Sequence, residues 1–327
     1  MNNKTSLALG VDVGGTNTKV GLVSSKGKIL HFQSFPTNAL GSNPDPFLTN
    51  LKNVLQTFIK STDKTILGIG ASFHGYIDDE NTGLVVCENT PALRGFNFME
   101  FFSRSFKFPV KILNDVSAHS LAEYTFGSGR NESRFMTVAV GTGIGAGVII
   151  NGKPLRFLGG TIGDAGRIIL KPGGPKSVYA VSGSAEALCG TKNIERLAEQ
   201  KYGEQKPAFD IIHSARKGND PIAIEIIQEI GMYLGWTIAS LSTIFLPSKI
   251  ALTGGTTEAG QVLLDACRRQ FDELVGEYYQ KMTFLSNGKF KPATIVIGEY
   301  RGESGMVGSV IDFFNKSKSI DKVKSII

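Results

Sequence analysis

Cysteine is scarce in this chain of 327 residues, and its placement excludes two kinds of site. Cys87, Cys189 and Cys267 lie far apart, are odd in number and match no metal-ligand spacing. The sequence therefore predicts neither a disulfide framework nor a zinc site built from cysteine, and it favours a reducing compartment. The four histidines form no ligand-spaced pair either.

Long apolar runs and concentrated charge are also missing. No apolar segment typical of a signal peptide follows the first residues. The most apolar long stretch, 222–246, carries Glu225, Gln228 and Glu229, which favours a buried helix over a membrane span. The net charge of +6 is spread along the chain, apart from a basic stretch at 315–327 that we expect to be a solvated tail. These features predict a cytoplasmic protein whose partners include neither nucleic acid nor membrane.

A repeated unit is the main feature that is present. A chain of this length and ordinary composition suggests two domains. Residues 7–23 read LALGVDVGGTNTKVGLV and residues 135–153 read FMTVAVGTGIGAGVIINGK, so that strand, Gly/Thr turn and strand follow one another twice. Asp12 of the first copy corresponds to Ala139 of the second. The repeat predicts an α/β protein of two similar domains with a cleft between them.

Hydrophobic periodicity and turn residues predict the elements around the repeat. We expect strands at 7–13, 19–23, 29–35, 65–72, 109–113, 249–255 and 293–298, the sixth ending in a Gly-Gly turn. We expect helices at 47–60, 96–106, 116–124, 184–201, 207–216, 222–246, 258–280 and 303–316. Residues 73–83 are predicted to be a polar loop.

The glycine-rich turns have the composition of anion-binding loops. Glycine lets backbone N–H groups approach a ligand closely, and Thr16 and Thr142 add hydroxyl donors. A plain hairpin explains either turn alone, but two matching turns favour phosphate binding. The Walker pattern is absent, and a strand instead of a helix follows GTGIGAG, which argues against a dinucleotide fingerprint. Gly254 and Gly255 would let a purine or ribose lie against the backbone, although a tight turn explains them equally well.

Two aspartates adjoin these features. Asp12 would repel phosphate unless a cation lay between them, and Mg²⁺ held largely through water fits that need. The alternative for Asp12 is a surface or turn-capping role. Asn114 and Asp115 follow a predicted strand at the start of a helix, where such residues are common N-caps. Asp115 could instead be a general base that takes a proton from a hydroxyl during phosphoryl transfer.

Segments 7–23, 112–124, 138–153 and 250–255, taken together, resemble the ROK family (repressors, open reading frames and kinases) of the sugar kinase/actin/Hsp70 superfold. The resemblance covers nearly the whole chain, in the right order and spacing. It implies two similar actin-like (ribonuclease H-like) α/β domains and ATP-dependent phosphorylation of a sugar hydroxyl in the cleft. A sugar is thus the expected small-molecule partner, and a homodimer is left open.

Domains and roles also follow from the resemblance. It implies a smaller domain at 1–115 plus 303–327 and a larger one at 116–302. It implies ATP and Mg²⁺ as cofactors, with Asp12 near the Mg²⁺. The implied nucleotide-binding residues are Asp12, Gly14, Gly15, Thr16, Asn17, Lys19, Gly141, Thr142, Gly143, Gly254 and Gly255. The implied sugar-side residues are Gly75, Asn114, Asp115 as the catalytic base, and Glu186.

The sequence departs from the family pattern in the segment GDAGRIIL. Arg167 stands where a sugar-binding glutamate is usual, and Leu170 where a zinc-ligating histidine is usual. Ser177, Tyr179 and Ser184 occupy the usual cysteine positions, so no structural zinc is expected. Arg167 could bind the carboxylate or phosphate of an acidic sugar. We favour the alternative, in which the loop is repacked and Arg167 points to solvent.

Two rival functions follow from the same resemblance. Sugar-responsive repressors of the family carry a helix-turn-helix segment ahead of the first phosphate motif, and only six residues precede the first strand here. A catalytically altered sugar-binding or regulatory protein without a DNA-binding domain would fit the loss of the usual glutamate and histidine. The retained Asp12 and Asp115 favour the kinase.

Overall fold

The computed structural model describes residues 6–177, 179–300 and 302–315. Most of the basic stretch predicted as a tail lies outside them. Within the first 127 residues the elements are β1 (Leu7–Val13), β2 (Asn17–Ser24), β3 (Ile29–Pro36), α1 (Asp45–Lys60), β4 (Ile66–Phe73), β5 (Tyr76–Ile77), β6 (Leu84–Val86), α2 (Phe98–Ser105), β7 (Val110–Asn114) and α3 (Asp115–Phe126). The later elements are β8 (Arg134–Val140), β9 (Ile144–Ile150), β10 (Lys153–Pro154), α4 (Ala185–Cys189), α5 (Thr191–Tyr202), α6 (Ala208–Lys217), α7 (Pro221–Phe245), β11 (Lys249–Thr253), α8 (Gln261–Leu285), β12 (Thr294–Ile297) and α9 (Ser304–Ser309).

Contacts divide the chain into two compact units. The first unit holds the described residues up to 127, together with 154–163 and 302–315. The second holds 128–153, 164–177 and 179–300. The first unit extends past the predicted limit at residue 115 because α3 packs on α9 and β7. The segment 154–163 joins it because, among other contacts, the Ser117 hydroxyl donates to the Gly160 carbonyl at 2.7 Å.

The first unit is built on a five-stranded sheet of order β3-β2-β1-β4-β7. β1 is antiparallel to β2 and parallel to β4, and β4 is parallel to β7. α1 buries one face against this core, because its apolar residues recur with helical spacing. The buried residues of α1 are Phe47, Leu48, Leu51, Val54, Leu55 and Phe58. This confirms the apolar face predicted for the helix at 47–60.

The second unit repeats the strand order in a sheet of order β10-β9-β8-β11-β12. β8 is antiparallel to β9 and parallel to β11, as β1 is to β2 and β4. Of the described helices, α7 alone is long and apolar enough to span a membrane by length and composition, and 61% of its most apolar window is buried within the protein. It packs mainly against α8 and begins at an Asp220 cap, whose carboxylate accepts from the Ile222 and Ala223 amides at 3.1 Å.

Three predicted elements differ from the structure. The segment expected as a loop at 73–83 contributes β5, which pairs with β6. The helix expected at 184–201 is broken at Gly190, whose backbone is extended. A Cβ there would lie only 2.6 Å from the Thr142 carbonyl oxygen, so the position favours glycine. α9 ends at Ser309, so the helix expected over 303–316 is interrupted by a turn at Val310.

Candidate functional site

The β1–β2 turn of the first unit is held by its own backbone and by a threonine from outside the motif. The Gly14 amide donates to the Asn17 carbonyl at 3.1 Å. The Gly14 carbonyl accepts from the Thr37 hydroxyl at 2.8 Å, and that hydroxyl lies 2.9 Å from the Thr18 hydroxyl. Thr16 and Asn17 are exposed. These hydrogen bonds therefore hold the backbone of the turn in one conformation, while its polar side chains are open to a ligand.

Asp12 lies at the end of β1 and is half-buried. Its Oδ1 accepts from the Ser72 hydroxyl at 2.8 Å, and Ser72 is its partner in the β1–β4 register. Lys19 is its partner on the other side, in β2, but the Lys19 ammonium donates to the Gly302 carbonyl. α9 approaches so closely that a Cβ on Gly305 would lie 2.4 Å from Asp12 Cγ. The carboxylate is thus held in one place by two strands and a helix.

Asn114 is the N-cap of α3 and also fixes the Gly75 loop. Its Oδ1 accepts from the Val116 amide at 2.9 Å and the Ser117 amide at 3.3 Å. Its Nδ2 donates to the Gly75 carbonyl at 2.8 Å. The capping role is therefore real, and the structure brings together three predicted sugar-side residues, Gly75, Asn114 and Asp115.

Asp115 begins α3 and is half-buried. Burial raises the pKa of its carboxyl above the usual 3.8; His119 and His74 oppose the rise, and the Asp12 charge adds to it. The Asp115 Oδ1 accepts from the Val116 amide at 2.8 Å, which also opposes the rise. The net effect is a carboxyl that takes up a proton more readily than one in water.

His74 is a neighbour of Asp115 for which the sequence analysis predicted no function. Its Nδ1 lies 3.1 Å from the Val13 carbonyl, which can only accept, so Nδ1 carries the proton in that hydrogen bond. Its Nε2 lies 3.3 Å from the Thr90 hydroxyl. Ser72, His74 and Thr37 were all missed as supporting residues. The sequence could have indicated Ser72 and His74, because they lie near and just beyond the end of the strand β4, which neighbours β1.

The β8–β9 turn of the second unit is also held through the amide and the carbonyl of its first glycine, although with different partners from those of the first turn. The Gly141 amide donates to the Gly143 carbonyl at 3.0 Å, and the Gly141 carbonyl accepts from the Thr191 amide at 3.0 Å. Thr142 is exposed. A Cβ on Gly143 would lie 2.4 Å from Glu186 Oε2. The structure therefore brings the retained glutamate against the second predicted phosphate turn.

Gly254 and Gly255 lie beside the same turn. Gly254 has φ of 90°, a conformation that favours glycine, and a Cβ there would lie 2.4 Å from the Val140 carbonyl oxygen. A Cβ on Gly141 would lie 3.8 Å from the Gly255 nitrogen. Both glycines are exposed. Two of the three predicted nucleotide motifs are therefore adjacent within this unit.

Arg167 does not point to solvent, contrary to the expectation that we favoured. Its side chain is 20% exposed, and its guanidinium donates to Glu186 Oε1 at 2.6 Å. Its Nε lies 3.1 Å from Asp164 Oδ2, and its guanidinium carbon lies 4.2 Å above the Tyr179 ring. The other part of that expectation, a repacked loop, agrees with these contacts. The acidic-substrate alternative is weakened because two carboxylates already occupy the guanidinium.

The groups at the glycine turns are suited to binding the phosphates of a nucleotide, and they do not form a metal site made of protein side chains alone. Glycine backbone beside exposed hydroxyl groups, here those of Thr16 and Thr142, can cradle phosphate. No group of three or more His, Cys, Asp or Glu side chains in the described part of the chain is placed to hold a metal ion. Mg²⁺ needs no such cluster, because it usually binds one or two carboxylates together with water and substrate phosphates. Asp12 fits that limited role.

Comparison with known proteins relates the chain to kinases and regulators. A glucokinase of Halalkalibacterium halodurans is 27% identical over 317 residues, covering 92% of this chain and 92% of that protein. The DNA-binding transcriptional dual regulator NagC of Escherichia coli strain K12 is 29% identical over 272 residues, covering 79% of this chain and 66% of that protein.

A solved structure and a family model extend the comparison. The ROK family glucokinase from Streptomyces griseus, crystallised with glucose and AMPPNP, matches with a TM-score of 0.77 and 24% identity, covering 93% of this chain and 97% of that chain. This likeness confirms the predicted actin-like fold class. Residues 8–311 match the family model described as ROK family. The chain therefore belongs to the ROK family.

Proposed function

We propose that the protein transfers the γ-phosphate of ATP, in the presence of Mg²⁺, to a hydroxyl group of a sugar. The protein is a carbohydrate kinase, in keeping with its family and its similarity to glucokinases over nearly the whole chain. The observation that carries the finer proposal is the half-buried Asp115 carboxyl with its raised pKa, because a general base works best when its pKa approaches the working pH.

Asp115 and its neighbours prepare the sugar. Asp115 takes the proton from the sugar hydroxyl as the oxygen of that hydroxyl attacks the γ-phosphorus in line. The bond from this phosphorus to the bridging oxygen breaks, and ADP leaves. The Asn114 amide, already fixed by the α3 cap and by the Gly75 carbonyl, orients the sugar without losing much freedom on binding. Glu186 supplies a further polar contact to the sugar, as its family position suggests.

The glycine turns hold the nucleotide. Backbone and side-chain donors of Gly14, Gly15, Thr16, Asn17 and Lys19, and of Gly141, Thr142 and Gly143, bind the phosphates. Gly254 and Gly255 let the adenosine approach the backbone. Asp12 would hold Mg²⁺, largely through water, and the ion would supply positive charge to offset the charge that develops on the phosphates.

A sugar-dependent ADP-release screen tests the proposal. The panel contains neutral, amino and acid sugars, with glucose among the first. Asp115→Asn should abolish transfer while ATP binding persists, and Asp79→Asn, an exposed aspartate of the same unit, should leave turnover unchanged. Normal turnover by the Asp115→Asn variant would contradict the assigned base.

A second candidate is a catalytically altered sugar-binding or regulatory protein. The observation in its favour is the ion pair between Arg167 and Glu186, which occupies a carboxylate that family members direct at the sugar. Similarity to the E. coli regulator is consistent with it. Sugar binding without ADP release anywhere in the panel would support this candidate over the kinase.

A further inference from the structure

A carboxylate lies directly against the second phosphate turn. The atoms nearest to a Cβ built on Gly143 are Oε2, Cδ and Cγ of Glu186, at 2.4, 3.2 and 3.7 Å. The turn itself is fixed by the hydrogen bond from the Gly141 amide to the Gly143 carbonyl. An unpaired negative charge at this position would repel any phosphate that the turn binds.

Arg167 holds the other oxygen of that carboxylate. Its hydrogen bond to Glu186 Oε1 is 2.6 Å long, and both side chains are largely buried, at 20% and 16% exposure. Asp164, 3.1 Å from the Arg167 Nε, and the Tyr179 ring below the guanidinium restrict its orientation. Arg167 therefore has a single well-defined arrangement, with one cation shared by two carboxylates.

We propose that Arg167 is a positioning residue for the second phosphate turn: it fixes Glu186 against Gly143 and offsets the charge of that carboxylate, so that the turn accepts ATP. The inference rests on the proposed function, because it takes the ligand of the turn to be ATP. In this role the Arg167 guanidinium favours nucleotide binding by acting on Glu186, and it does not bind an acidic sugar.

Calorimetric titration with ATP in the absence of sugar tests the inference, with adenosine as the control ligand. Arg167→Met should weaken ATP binding about fivefold to tenfold, the effect of one unit charge several ångströms away at an effective dielectric constant of ~40. Adenosine carries no phosphate, so its affinity should not change. Arg167→Lys keeps the charge and should bind ATP within about threefold of wild type.

Glu186 provides the complementary variants. Glu186→Gln removes the negative charge while Arg167 remains, so it should bind ATP about twofold to fivefold more tightly than wild type. The double variant Arg167→Met with Glu186→Gln should return ATP affinity to within about twofold of wild type. This reversal separates charge compensation from a general loss of structure, which a second substitution would not repair.

The outcomes are distinct. Wild type that binds adenosine but not ATP would overturn both the proposed function and this inference. Wild type that binds ATP, with Arg167→Met unchanged or with ATP and adenosine weakened equally, would overturn only the inference. If circular dichroism shows that Arg167→Met is unfolded, Glu186→Gln decides: tighter ATP binding supports the inference, and unchanged or weaker binding overturns it.

Discussion

Replacing Gly305 by alanine should strain the environment of Asp12. A Cβ at this position would lie 2.4 Å from both Cγ and Oδ1 of Asp12 and 2.7 Å from Oδ2. Contacts this short force one group to move. The carboxylate is anchored by the Ser72 hydroxyl at 2.8 Å, so it can move away only by losing that hydrogen bond.

The magnitude follows from three contributions. Overpacking costs about 1–3 kcal/mol. The lost hydrogen bond costs about 1 kcal/mol. Alanine is a better helix former than glycine by up to about 1 kcal/mol, which offsets part of the cost. The expected fall in the free energy of unfolding is therefore about 1–4 kcal/mol. Gly41→Ala is the matched control: no atom lies within 4 Å of its built Cβ, so its effect should stay within about 0.5 kcal/mol.

Urea denaturation in two backgrounds is the decisive assay. In an Asp12→Ala chain the obstructing carboxylate is gone, so Gly305→Ala should become neutral or stabilise the fold by up to about 1 kcal/mol. The sign of the effect therefore depends on Asp12. Equal destabilisation in both backgrounds would refute the reasoning, because the strain would then lie elsewhere.

Three further predictions concern residues of both units. Because burial raises the pKa of Asp115, the folded chain keeps this proton to higher pH than the unfolded chain, and the free energy of unfolding falls as pH rises through that interval. Asp115→Asn should therefore resist denaturant better than wild type at pH 7 and lose this advantage well below pH 3.8. The kcat/KM of wild type should fall as pH drops through the raised pKa. Thr37→Val removes the hydroxyl that holds the Gly14 carbonyl and should cost about 1–3 kcal/mol and raise the KM for ATP, whereas Thr37→Ser should restore both; equal behaviour of the two variants would exclude the hydrogen bond as the cause. Asp220→Ala removes the α7 cap and the acceptor of the Tyr202 hydroxyl, and it should lower the midpoint of thermal unfolding by an amount equivalent to about 1–2 kcal/mol, while Asp220→Asn, which still caps, should lose less.

Local patterns made much of the fold predictable. The strand–turn–strand repeat was visible because the Gly/Thr turns interrupt apolar runs at matching positions, and the two sheets do share one strand order. The α1 face followed from helical spacing, and Asn114 followed from the chemistry of N-caps. Each of these depends on residues within a few positions of one another.

The rest depends on contacts between distant residues. Arg167 and Glu186 are 19 residues apart. Arg167 lies in a loop and Glu186 in the short helix α4, and no sequence pattern predicts how these two segments are placed relative to each other. The Lys19 ammonium donates to the Gly302 carbonyl, and 283 residues separate the two along the chain. His74 gained its orientation from Val13 and Thr90, on two other segments. Sequence alone identified the chemistry of Arg167 and Lys19 but not which groups they contact, and it assigned His74 no role.

The placement of α9 has a consequence for the making of the protein. Gly305 closes over Asp12, yet roughly 290 residues separate them, a stretch that takes about 15–60 seconds to synthesise. β1 and β4 can pair long before α9 exists, but the surroundings of Asp12 cannot be completed until the ribosome has passed residue 309. A chain that stops short of α9 would thus carry every predicted phosphate-binding residue and still lack the helix that fixes this carboxylate.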